Sequence, residues 1–110
     1  MSSPYSAVLL EVPGLDSGSS PATYEVPAGK VVIVRQIAAG STPGVEASDI
    51  EFTTIATGCA WFYKGISIAA GTEVQQLDCR HVFNDVDGGF EVHALHGTWD
   101  VRVSGYILDA

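Results

Sequence analysis

Three histidines, two cysteines and an excess of carboxylates give this 110-residue sequence its means of holding a metal or moving a proton. Cys79 and His81 share a parity with Asp78 beside them, and a neighbouring strand carrying His93 would complete a mononuclear site. CxxC, HxH and HExxH elements are all missing, and His93 and His96, three apart, fall on opposite faces of a regular strand. No metal site is expected. Asp85-Val86-Asp87-Gly88-Gly89 reads as hairpin-turn chemistry, since it lacks the ligand spacing and closing Glu of a calcium loop. The further carboxylates Asp78 and Glu73 add no recognisable acid–base pair. Ser104 lies in Val-Ser-Gly-Tyr, which is not a GxSxG elbow, and Gly88-Gly89 has no following glycine and helix to cradle a phosphate. No catalytic residue emerges, so neither enzymatic activity nor a cofactor is expected.

The remaining chemistry-bearing side chains are aromatic. Trp61, Phe62, Tyr63 and Trp99 would stack on sugar rings if exposed together on one face, as in a carbohydrate-binding module. Large aromatics more often fill a core or a subunit interface, where they dominate burial energetics. On this reading Trp61, Tyr63, Trp99, Tyr106 and Leu108 are the candidate interface residues. Strict alternation places Trp61 and Tyr63 on one face and Phe62 on the other.

These side chains must be carried by strands. Trp99, Val101, Val103, Gly105 and Ile107 share one parity of the final stretch, while Asp100, Arg102 and Ser104 share the other. That pattern predicts a strand with an apolar and a polar face, becoming apolar on both parities at Tyr106-Ile107-Leu108. Upstream, Tyr5–Val12 is an apolar run closed by Pro13-Gly14, and Leu15–Pro21 reads as a flexible loop. Thr23–Val26 is a short strand, followed by the turn Pro27-Ala28-Gly29-Lys30. Val31–Ala38, rich in β-branched residues on both parities, belongs in the middle of a sheet. Gly40–Asp49 reads as a second loop. Ile50–Thr57 and Cys59–Gly65 are strands broken at Gly58, and Ala69–Glu73 is a turn. Val74–Phe83 is a strand near an edge, Asn84–Gly89 a turn and Phe90–Leu95 an alternating strand. About eight short strands, with turn signals at roughly 8–12-residue spacing and little or no helix, predict an antiparallel β-sandwich or jelly roll. Residues 1–110 are read as a single domain.

Composition narrows the partners. The net charge is −8, and Lys30, Arg35, Lys64, Arg80 and Arg102 are scattered without a cluster, which disfavours direct nucleic-acid binding and anionic membranes. No apolar run approaches the length of about 18 residues that reads as a membrane span. The N-terminal Met-Ser-Ser-Pro-Tyr-Ser has no basic segment leading into an apolar one, so synthesis in the cytoplasm of whatever cell makes the protein is expected. Cys59 and Cys79 suggest free thiols rather than a disulfide framework. Only 16% of residues are charged, against 46% hydrophobic. With so few charges to coat its exterior, part of the apolar surface should be covered by another chain.

Two stretches carry a family likeness. Tyr24-Glu25-Val26-Pro27-Ala28-Gly29-Lys30 through Val34-Arg35-Gln36-Ile37 resembles the Y-x-V-P-A-G-K-x-x-x-V-R-x-I strand-turn-strand of small virion proteins of tailed phages. Asp100-Val101-Arg102-Val103-Ser104-Gly105-Tyr106-Ile107-Leu108 is similar to the D-V-R-V-S-G-Y-x-L ending of the same proteins, especially in phages of actinobacteria. The resemblance implies a bacteriophage virion structural protein, a minor tail protein that self-associates and docks on the tail. It also implies an all-β homo-oligomer, often a trimer, whose partners are other virion proteins. A capsid decoration protein that stabilises the shell and a carbohydrate-binding module of a tail tip are the alternatives. The resemblance supplies no catalytic residue.

Overall fold

The pairing of strands in this protein is nested. The computed structural model describes residues 7–16, 18, 20–41, 47–67 and 73–109, the side chains of 47, 48, 64–67 and 73–75 excepted. Its eight strands are β1 (Ala7–Asp16), β2 (Ala22–Glu25), β3 (Lys30–Ser41), β4 (Ala47–Thr54), β5 (Ala60–Ser67), β6 (Glu73–Asn84), β7 (Gly89–His96) and β8 (Thr98–Asp109). Strand β4 pairs with β5, β3 with β6, β2 with β7 and β1 with β8, all antiparallel. The chain is thus one long hairpin with its tip at the β4–β5 turn. Rolling it over adds the β3·β8 and β4·β7 pairings and splits the pairs between two sheets, ordered β1-β8-β3-β6 and β2-β7-β4-β5. This winding is a jelly roll. The all-β antiparallel architecture expected from strand spacing is what the protein adopts, with no helix among the described residues.

Alternation builds the core. Strand β8 turns Trp99, Val101 and Val103 inward, β7 turns Phe90 and Val92, and β4 turns Ile50 and Phe52, all at most 2% exposed. Fully burying an apolar side chain of this size is worth about 1.5–3 kcal/mol. Strand β3 lies between β8 and β6, the central position expected from its β-branched run. Val34 and Ile37, three residues apart, are both buried because a register shift at Arg35 resets the parity. Gly105 pairs with Val34 at this bulge, and a Cβ there would stand 1.9 Å from the Ile33 carbonyl oxygen.

Several boundaries differ from the sequence-based expectation. Strand β1 does not stop at Pro13-Gly14 but runs to Asp16, with a register shift between Val12 and Leu15. Gly14 takes a positive φ of 69° and its N–H donates to Asp100 Oδ1 at 2.8 Å, which stitches the irregularity to β8. An edge strand tolerates proline here, because an edge has hydrogen-bonding groups facing away from the sheet. Leu15, expected in a flexible loop, is 4% exposed and sits opposite Trp99. Gly40, also expected in a loop, is buried within β3. Tyr5 and Ser6 of the first predicted strand, residues 42–46 of the second loop, and 68–72 of the Ala-Gly turn lie outside the described residues.

The Asn84–Gly88 turn is closed by its own side chains. The Asn84 N–H donates to Asp87 Oδ2 at 3.1 Å and the Asp87 N–H donates to Asn84 Oδ1 at 2.8 Å. Asp85 Oδ2 accepts from the Gly29 N–H at 2.9 Å, tying the β2–β3 turn to the β6–β7 turn. Both carboxylates of the Asp-Val-Asp segment therefore serve the backbone, as hairpin-turn chemistry predicts.

Candidate functional site

The outward face of the β1-β8-β3-β6 sheet divides into an apolar and a polar half. Register places Tyr106, Ile33 and Val82 side by side across β8, β3 and β6, with Leu108 and Val31 in the next row. Val82 is 54% exposed and Leu108 39%, while Val31, Ile33 and Tyr106 are half-buried by one another. Strand β1 begins opposite Gly105, so no described strand covers the β8 edge beside Tyr106 and Leu108. The Lys30–Asp109 ion pair, which holds the Asp109 carboxyl below its usual pKa, joins the last row of the β3·β8 ladder, next to Val31 and Leu108. At its other border the face turns polar through Ser104, Gln36 and Asp78, where Gln36 Nε2 donates to Asp78 Oδ1 at 3.2 Å. Arg35 and Arg80 are exposed along this border, and neither has an ion-pair partner among the described residues.

Beyond the border lies a shallow groove of about 370 Å³ over Ala38, Gly40 and Val101. Its polar groups answer one another. Arg102 Nε lies 3.4 Å from Glu11 Oε2, and Asp100 accepts the Gly14 amide described above. The groove offers no nucleophile and no histidine.

The five sequence-predicted interface residues divide. Tyr106 and Leu108 lie in the apolar patch. Tyr63 is also on the surface, 56% exposed, but on the outward face of the other sheet. Partial desolvation first, and then the neighbouring Asp49 and Glu51 carboxylates, raise its phenol above the usual pKa. Trp99 is not a surface residue: it is fully buried, its indole N–H donating to the His96 carbonyl at 3.1 Å. Trp61 is not on the Tyr63 face either. A register shift between Phe52 and Thr53 leaves it as the extra residue of β5. That turns its ring inward against Phe52, Phe83 and Phe90, with centroids 5.4, 5.3 and 5.7 Å away. The Trp61 indole N–H is buried without a hydrogen-bond partner. With both indoles inside, the aromatic platform that a sugar would need on one face is not assembled.

Cys79, His81 and His93, tested above as a metal set, are kept apart. Cys79 and His81 turn inward from β6, the thiol 3.8 Å from the Val34 carbonyl and the imidazole ring 4.6 Å from that of Trp61. Burial pushes the Cys79 thiol above its ordinary pKa, outweighing the Arg35 charge. His93 lies on the outward face of the second sheet, 3.3 Å from Thr53 Oγ1 and 3.2 Å from Glu91 Oε2. A register shift at Leu95 brings His96 to that same face, contrary to strict alternation, with Nδ1 2.9 Å from Asp49 Oδ2. No group of three or more potential metal ligands occurs among the described residues.

What sequence reasoning missed is the contribution of Val31, Ile33 and Val82. The available signal was that β3 is apolar on both parities: a strand whose two faces are both apolar needs cover on both.

No protein-family model matches the chain. No curated protein matches it. Among solved structures it is similar in fold to the Drosophila NLP core, whose crystal structure bears on pentamer formation and histone binding. The TM-score is 0.52 at 16% identity, over 98% of this chain and 100% of that one. A remoter similarity, with a TM-score of 0.41 and 11% identity, relates 94% of this chain to 31% of a chain from infectious bursal disease virus, Gx strain.

Proposed function

We propose that this chain is a non-enzymatic structural subunit that self-associates through the outward face of its β1-β8-β3-β6 sheet and docks in the virion of a tailed phage, as a minor tail protein. One observation carries the reading: Val31, Ile33, Val82, Tyr106 and Leu108 form a contiguous apolar patch that nothing in the described chain covers. Contiguous exposed apolar surface rimmed by polar groups marks an interaction site. The patch lies where the two phage-like stretches meet, since β3 belongs to one and β8 to the other. The NLP core, whose fold is similar, concerns pentamer formation, so this sandwich is compatible with ring assembly. The resemblance to phage virion proteins favours a trimer.

Immunogold labelling of intact particles against this chain tests the placement. Label along or at the end of the tail is the expected result. Label confined to the head would replace the tail reading with shell decoration, and unlabelled particles would remove the virion role altogether.

A further inference from the structure

The uncovered patch lies on one broad face of the sandwich, and the opposite face carries the complementary charge. On the outward side of the β2-β7-β4-β5 sheet, the described side chains include Glu25, Asp49, Glu51 and Glu91 and no lysine or arginine. Asp49 and Glu91 are each against a histidine, whereas Glu25 and Glu51 have no ion-pair partner among the described residues. The cations without an ion-pair partner among the described residues, Arg35 and Arg80, border the apolar patch on the other side, with Asp78 beside them. Among the described side chains, positive charge thus exceeds negative beside the patch, two arginines against Asp78, while the carboxylates of the reverse face meet no lysine or arginine.

Apolar groups follow the same division. Tyr63, the most exposed aromatic ring described, is the cross-strand partner of Glu51. Val82 lies two residues from Arg80 along one side of β6. Each face therefore sets an apolar group within one row of a free charge, and the two charges are opposite. Tyrosine and arginine are the residue types enriched at the centres of protein interfaces.

We propose that the partner of the apolar patch is a second copy of this chain, seated head-to-tail. The Tyr63–Glu51 side of one subunit lies on the Ile33–Val82–Tyr106 patch of the next, with Glu51 facing Arg35 and Arg80. The inference rests on the self-association reading above and adds which surface meets which. The molecule measures 47 by 27 Å across its two longer axes, broad enough to supply the roughly 800 Å² per partner of a stable interface. Because the two surfaces differ, the contact is heterologous: it closes into a ring or propagates as a filament, and cannot stop at a two-fold dimer. The facing charges also make assembly weaken as salt screens them, opposite to a purely apolar contact.

Light scattering on the full chain and three variants, with circular dichroism to establish folding, tests this. Val82→Asp and Glu51→Arg are each expected to reduce the wild-type oligomer to the 11.5-kDa monomer. The double variant Arg80→Glu/Glu51→Arg is expected to recover a larger mass than Glu51→Arg alone, and salt to lower the wild-type mass. Glu51→Arg at wild-type mass with Val82→Asp monomeric would overturn the head-to-tail seat while leaving self-association through the patch intact. Val82→Asp at wild-type mass would overturn both.

Discussion

Single residues in this chain decide where strands bend. Gly105 and Arg35 form one such point, where β3 carries an extra residue and β8 approaches so closely that only hydrogen fits on the glycine Cα. Gly105→Ala would drive a methyl into the Ile33 carbonyl, and because the obstacle is backbone, neither side can move cheaply. We expect a loss of ~3 kcal/mol or more in a urea titration. Unchanged stability would show that the two strands are not in this register. The same scale explains where sequence reasoning failed. Alternation is legible wherever the ladder is regular, as along β8, but a bulge leaves no mark in residue type. Alternation therefore puts Trp61 on the Tyr63 face and His96 on the face opposite His93, each on the wrong side of an extra residue.

At the scale of elements, β1 shows how tertiary contacts override local signals. Pro13-Gly14 reads as a terminator, yet the strand resumes beyond it because Leu15 has a buried place opposite Trp99 and Asp100 secures the Gly14 amide. The partner that rescues the strand is some eighty residues away, which no local pattern reports. Leu15→Ala removes a buried side chain and is expected to cost about 2–4 kcal/mol in equilibrium unfolding. A change within about 0.5 kcal/mol, as for an exposed position, would return Leu15 to a flexible loop. The strands themselves, and the turns at Pro27–Lys30 and Asn84–Gly89, were legible because their glycines, prolines and asparagines have stereochemical reasons to be there. The apolar patch was half legible: Tyr106 and Leu108 stood out in the terminal stretch, whereas Val31, Ile33 and Val82 join them only once β3, β6 and β8 are set side by side.

The whole molecule is a nested hairpin rolled into two sheets, and most of its pairings join residues distant in sequence. Strand spacing announces a sandwich, but which strand pairs with which depends on how two sheets share one core, so the jelly-roll order was expected only as a class. Low charge content gave the sharper hint. A chain with 16% charged residues has little polar material for its exterior, and part of the shortfall falls on the outward face of β3, β6 and β8, where Val82 and Leu108 are exposed. The account turns on that face being covered by another subunit. Its most direct measurement is the solution mass of the purified chain beside that of Val82→Asp, both folded by circular dichroism. The account predicts a discrete oligomer for the wild type and an 11.5-kDa monomer for the variant; a monodisperse wild-type monomer would contradict it.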